Sequence, residues 1–260
     1  MSSRAATKAA LREERIAVER EQADAASRRR RLQILAGLVA AAAAVVVIAL
    51  AVSSSGGGSE KPAGGDGLNA AATLSLIGGI PQQGLALGKA DAPLTLVEYA
   101  DMQCPACKMY SDQAFPAIVE KYVRTGKLRI EIRLQSFLGP DSVTAAGAIA
   151  AASLQDEAWT MIDLFYRNQG TENTGYVTNG FLTDLADAVP GLDSAQLLRD
   201  ANGPRAREIV QQGSAAFAAN GFDSTPSFQL GRTGGELSVL NVESFDPAQF
   251  TGAIDSLLAS

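Results

Sequence analysis

Histidine is absent from the 260 residues, and cysteine occurs only twice, as Cys104 and Cys107. Without histidine there is no Ser-His-Asp or Cys-His catalysis and no His-ligated metal site. Two cysteines cannot by themselves close a four-ligand zinc site, and they cannot build a multi-disulfide scaffold. Charged residues make up only 19%, against 47% hydrophobic, with mean hydropathy +0.06. That balance supports a packed core and excludes a disordered chain.

The net charge of −6 conceals an asymmetry. Residues 1–31 hold nine of the 22 basic residues and five of the 28 acidic ones, which leaves 13 basic and 23 acidic in the remainder. A net-acidic main body argues against nucleic acid as a partner. The break falls at an apolar run: Ile34 to Val52 carries no charge over 19 residues. A bilayer core takes about 20 apolar residues in helix. Arg28 to Arg31 directly precede the run, which predicts a cytoplasmic N-terminus and a main body outside the cytoplasm. Ala49-Leu50-Ala51 also fits a signal-peptide cleavage site. The preceding basic region is far longer than a signal peptide needs, which favours an uncleaved anchor.

The segments are therefore read as follows. Residues 1–31 form a charged, helical cytoplasmic segment, with i, i+4 pairs such as Arg15/Glu19 and Arg20/Asp24. Residues 32–52 form a transmembrane anchor, and residues 53–79 a flexible Gly/Ser linker with a reach of about 30 Å. Residues 80–260 are globular. Leu94 to Ala100 reads as a buried strand, and Leu128 to Leu134 as an alternating one. A helix follows the cysteines, with Phe115, Ile118, Val119, Tyr122 and Val123 at helical spacing. Residues 139–221 read as a block of helices, with Trp159 on an apolar face. A hairpin brackets Gly231 to Gly235, and Asp246-Pro247 caps a last helix. Strand, helix, strand, then hairpin and helix is a βαβ unit followed by a ββα unit. The fold class is α/β, a thioredoxin arrangement with a helical insertion, preceded by one transmembrane helix.

Cys104-Pro105-Ala106-Cys107 stands between the first strand and its helix. A C-x-x-C beside a βαβ pattern reads as a thiol redox site. The unpaired N–H groups and partial positive charge of a helix N-terminus stabilise a thiolate, so the pKa of Cys104 should fall. Cys107 lies one turn further in, within disulfide reach. Pro105 suits the first turn, where a missing N–H costs little. Other readings of the pair are weaker. A half zinc site lacks two ligands. A structural disulfide over so small a loop stabilises little. A Cu(I) site has thiolate softness but only Met102 and Met109 nearby. No metal or other cofactor is expected beyond the redox-active disulfide Cys104–Cys107.

The stretch VEYADMQCPACKMY, with Ser224-Thr225-Pro226-Ser227-Phe228 later, resembles the DsbA-like branch of the thioredoxin superfamily. More narrowly it is similar to the membrane-anchored, BdbD-like proteins. The resemblance spans roughly residues 80–260 and implies roles. Cys104 would be the exposed nucleophile and Cys107 the resolving cysteine. Pro226 would be a cis-proline facing the disulfide, with Thr225 offering backbone groups to a substrate. Glu98 would be a buried acid beneath the pair, exchanging protons with Cys107. The rival reading of Glu98 is a water-facing strand-edge position. Asp101, by contrast, reads as a turn or capping residue, with modulation of the thiols as the alternative role. Ala106 stands where strongly oxidising relatives often carry histidine, which implies a weaker oxidant.

The expected activity is thiol–disulfide exchange that introduces disulfides into exported proteins. Their thiols would be the substrates, and a DsbB- or VKOR-like membrane protein would reoxidise the pair. The same fold run as a reductase or isomerase stays open. So does a non-catalytic binding module with a redox-sensing disulfide.

Overall fold

The computed structural model describes residues 68–260. The charged segment 1–31, the anchor expected over 32–52 and residues 53–67 of the linker lie outside the described residues. Among the described residues no helix is long and apolar enough to cross a membrane.

The chain builds helix α1 (Ala70–Ile77), β1 (Gln82–Gln83), β2 (Ala86–Leu87), β3 (Leu94–Asp101) and α2 (Pro105–Gln113). Next come α3 (Phe115–Ile118), which runs into a π-helical turn at Val119–Val123, and β4 (Leu128–Gln135). Five helices follow: α4 (Pro140–Ser153), α5 (Ala158–Arg167), α6 (Asn179–Asp187), α7 (Ser194–Asp200) and α8 (Pro204–Ala219). The chain closes with β5 (Ser227–Arg232), β6 (Leu237–Val239) and α9 (Pro247–Ala259). The strands form one sheet in the order β1-β2-β4-β3-β5-β6.

The central strand is β3, and all eight of its residues are buried. It runs parallel to β4, from Leu94 opposite Leu128 to Asp101 opposite Gln135. It runs antiparallel to β5, with Glu98 opposite Phe228. A strand covered on both faces needs an almost continuous apolar sequence, which LTLVEYA supplies. Leu94, Leu96 and Ala100 enter the main core with α2, α3 and α9, while Val97 and Tyr99 meet Phe217 of α8. Helix α8 lies close against β4. A Cβ built on Gly213 would stand 2.6 Å from the Leu134 carbonyl oxygen, so only glycine permits this approach.

The helix starts follow local rules. Thr178 accepts from Phe181 N–H at 3.1 Å, Asp193 from Gln196 N–H at 2.8 Å and Asp246 from Ala248 N–H at 2.9 Å. Prolines occupy the first turn of α2, α4, α8 and α9. The helices α4 to α8 fill residues 140–219, between the βαβ and ββα halves.

Three features differ from the expectation. The helix after the cysteines is broken: α2 stops at Gln113, where Pro116 has no N–H to continue the ladder. A short hairpin, β1–β2, extends the sheet beyond β4. The linker expected over 53–79 does not reach Gly79, because residues 70–77 form α1. That helix is held from outside its own sequence. Thr73 Oγ1 donates to Asp163 Oδ2 at 2.6 Å, and Asn168 Nδ2 donates to the Leu68 carbonyl at 2.8 Å. Arg124 donates to the Leu76 carbonyl at 2.7 Å and to the Ser75 and Gly78 carbonyls at 3.2 Å, which satisfies groups at the helix end.

Candidate active site

Cys104 is the N-cap of α2 and Pro105 occupies its first turn. The Cys107 N–H donates to Cys104 Sγ at 3.4 Å. The Cys104 thiol donates in turn to the Thr225 carbonyl at 3.3 Å. The Thr225–Pro226 bond is cis, so the two segments that the resemblance singled out do meet. Both cysteines are free thiols here. Cys104 is not the openly exposed residue expected: it is 6% exposed, and Cys107 is 0%. The difference still decides which sulfur a partner reaches.

The two thiols are driven apart in acidity. Cys104 is lowered from the usual 9.0 to about 6. The main cause is the hydrogen bond from the Cys107 thiol. Burial opposes it, and the Thr225 side chain and the N–H groups of Cys107 and Ala106 add to it. Thr225 therefore acts in two senses: its carbonyl favours the thiol, and its hydroxyl favours the thiolate. Ala106 contributes through its backbone. Cys107 is pushed well up, first by burial, then by Cys104, with the Glu98 charge adding to it.

Glu98 sits on the central strand at 2% exposure, so the strand-edge reading is excluded. It shares its face of β3 with the residues packed under α2. Burial raises its carboxyl from 4.5 to about 8, with the Cys104 charge contributing. The group is thus neutral at pH 7, and its Oε1 has no hydrogen-bond partner among the described residues.

Asp101 ends β3 and is fully buried. Its oxygens accept from Ser142 Oγ at 2.6 Å and from the N–H groups of Gln103, Phe137 and Leu138 at 2.9, 3.1 and 3.3 Å. Burial raises its pKa above the ordinary value and makes it a weaker acid, while these four bonds pull the pKa back down. Asp101 therefore ties the strand before the cysteines to the loop that enters α4. Its bond to the Gln103 N–H closes a local turn, and the others reach the loop and first turn of α4.

Sequence reasoning missed the clasp from the helical block. Gln169 Nε2 donates to the Met102 carbonyl at 2.7 Å and to the Cys104 carbonyl at 3.2 Å. Gln103 Nε2 donates to Tyr176 Oη at 2.8 Å, and Asn173 N–H donates to Gln103 Oε1 at 3.1 Å. Tyr166 Oη donates to the Asp101 carbonyl at 3.3 Å. These partners stand about 65 to 73 residues away in the chain, so no spacing rule could pair them. Trp159 is core: its ring stacks on Phe115 at 5.4 Å and its Nε1–H donates to the Leu85 carbonyl at 3.0 Å.

A cysteine pair at a helix N-terminus, set after a central parallel strand and against a cis-proline loop, defines a thioredoxin-fold redox protein. The thioredoxin family model matches residues 81–255, and the chain belongs to this family, within its DsbA-like thiol–disulfide oxidoreductases. It is 30% identical over 156 residues to the probable disulfide bond formation protein D of Bacillus cereus, covering 55% of this chain and 72% of that one. Against disulfide bond formation protein D of Bacillus subtilis the identity is 27% over 146 residues, covering 55% of this chain and 66% of that one. Its fold resembles oxidised BdbD from Bacillus subtilis, with TM-score 0.60 and 24% identity over 71% of this chain and 99% of that one. It also resembles α-DsbA1 of Wolbachia pipientis, with TM-score 0.57 and 23% identity over 67% and 90% of the two chains.

Proposed function

We propose that this protein is an extracytoplasmic dithiol oxidase that introduces disulfides into exported proteins. The observation that carries the reading is the split between its thiols: Cys104 is held near pKa 6 and reachable, while Cys107 is sealed and weakly acidic. Stabilising the reduced thiolate makes the corresponding disulfide a stronger oxidant. This supplies, through backbone and thiol donors, what Ala106 lacks as a side chain.

The chemistry then runs from the disulfide form. A substrate thiolate attacks Cys104 Sγ and forms a mixed disulfide, and the Cys104–Cys107 bond breaks with its electron pair on Cys107. That leaving thiolate is a strong base in a buried site, so it takes a proton. Glu98, neutral at pH 7, is the donor. A second substrate thiolate attacks the substrate sulfur of the mixed disulfide and expels Cys104 as a stable thiolate. The substrate has lost two electrons and the pair has gained them. A quinone-linked membrane protein of the DsbB or VKOR type would remove them again. The apolar run 34–52 would anchor the chain, and only residues 53–67 then separate anchor and fold.

The test is the reduction potential of Cys104–Cys107, by equilibration with glutathione buffers. A potential more oxidising than the glutathione pool supports the oxidase. A strongly reducing value refutes it and assigns the site to a reductase. Labelling of Cys104 in intact cells by a membrane-impermeant thiol reagent tests the location.

A further inference from the structure

Tyr110 lies three residues after Cys107, one turn further along α2, and is 1% exposed. Its ring is enclosed by Phe228 at 4.8 Å, Phe250 at 5.2 Å, Phe245 at 6.1 Å and Phe115 at 6.2 Å between centroids. None of these offers a hydrogen-bond acceptor. Phenylalanine would fill such a nest equally well, and burying an unpaired hydroxyl is costly. Yet among the described residues the Tyr110 hydroxyl has no hydrogen-bond partner, and Glu98 Oε1 is likewise buried and unpartnered. The two residues are neighbours through one side chain. Glu98 stands opposite Phe228 in the sheet, and the Phe228 ring rests on Tyr110. The third unpartnered buried atom, Arg129 Nε, belongs to a residue ion-paired with Glu131 in the outward row of β4.

The other polar groups near these two are engaged among the described residues. Cys104 donates to Thr225, Tyr166 to the Asp101 carbonyl, and the Asp101 carboxylate holds four donors. Cys107 is engaged with Cys104. Phe228 of β5, Ile132 of β4 and Phe250 of α9 bring no titratable group.

We propose that the Tyr110 hydroxyl and the Glu98 carboxyl form one hydrogen-bonded unit beneath Cys107, bridged by a single water. Tyr110 is then the positioning residue that sets how tightly Glu98 holds its proton. This rests on the reading of Glu98 as the proton donor to Cys107. A phenol donating to a carboxylate stabilises the charged form more than the neutral one. Removing it makes Glu98 a weaker acid.

The test is the titration of Glu98 in the reduced full-length chain in detergent, followed by carbon NMR of carboxyl-labelled glutamate. The midpoint should lie above the usual 4.5 but below the value of about 8 that burial and the Cys104 charge alone give. In Tyr110→Phe, which keeps the ring and removes only the hydroxyl, the protonation constant should rise about threefold to tenfold. An unshifted Glu98 midpoint in Tyr110→Phe overturns the proposal and leaves Glu98 as the donor. A wild-type chain in which no glutamate titrates above the ordinary carboxylate range overturns the reading of Glu98 as donor, and the proposal with it. A second measurement uses the unaltered ring: the Tyr110 hydroxyl-bearing carbon should show an inflection at the Glu98 midpoint, lost in Glu98→Gln. Absence of that inflection in the wild-type chain also overturns the proposal.

Discussion

Replacing Cys104 with serine should remove a stabilising contribution that depends on pH. In the folded, reduced chain the thiol has a pKa of about 6, against the usual 9.0 taken for the unfolded chain. A depressed acid stabilises the fold above its unfolded pKa, and this stability is lost as pH falls through the folded value. The contribution is therefore nearly nil below about pH 5, grows from pH 6 and reaches its limit above pH 9. Three pH units correspond to about 4 kcal/mol at that limit, and to about 1.4 kcal/mol at pH 7. The sulfur keeps some solvent access, and screening reduces the pH 7 figure to about 1 kcal/mol. The assay is urea unfolding of the reduced wild type and Cys104→Ser at pH 5, 6, 7 and 8. Only the change of their difference with pH is read, because serine adds a constant offset. Glu98 feels the Cys104 charge, so the same pair is compared in a Glu98→Gln background to isolate the thiolate. Alkylation of Cys104 should follow the same curve, with about 90% thiolate at pH 7 against about 1% for an ordinary thiol. A stability difference that stays flat from pH 5 to 8, with alkylation midpoint above 8, would refute the reasoning.

Glu98→Gln should raise the stability of the reduced chain at pH 7 by about 1–3 kcal/mol, because a carboxyl raised from 4.5 to about 8 costs stability as pH climbs between those values. It should also slow disulfide opening, measured by stopped-flow reduction. Thr225→Val keeps the shape but removes the hydroxyl, so the Cys104 alkylation midpoint should move up by about half a pH unit to one unit. Gly213→Ala forces a methyl against the Leu134 carbonyl and should cost about 1–3 kcal/mol in urea unfolding. Thr73→Val removes one donor to the buried Asp163, which should cost about 1–3 kcal/mol, while the Cys104 alkylation midpoint stays unchanged.

What could be read from the sequence alone was whatever local chemistry dictates. The β3 run announces a doubly covered strand because its residues are nearly all apolar, and β4 announces itself by alternation. Cys104 and Cys107 were legible because a C-x-x-C after a strand has few other uses, and the caps at Asp193 and Asp246 obey spacing rules. Tertiary structure decided the rest. Helix α1 looked like the end of a glycine-rich linker, because its stability comes from Arg124, Asp163 and Asn168, far along the chain. Glu98 could be an edge residue or a buried acid until strands closed on both sides of it. The clasp of Gln169, Gln103 and Tyr176 joins residues that no period relates. The acidity of Cys104 is divided between the two: the Cys107 and Ala106 donors come with the start of α2, but the Thr225 donor exists only once α2 and the cis-proline loop meet.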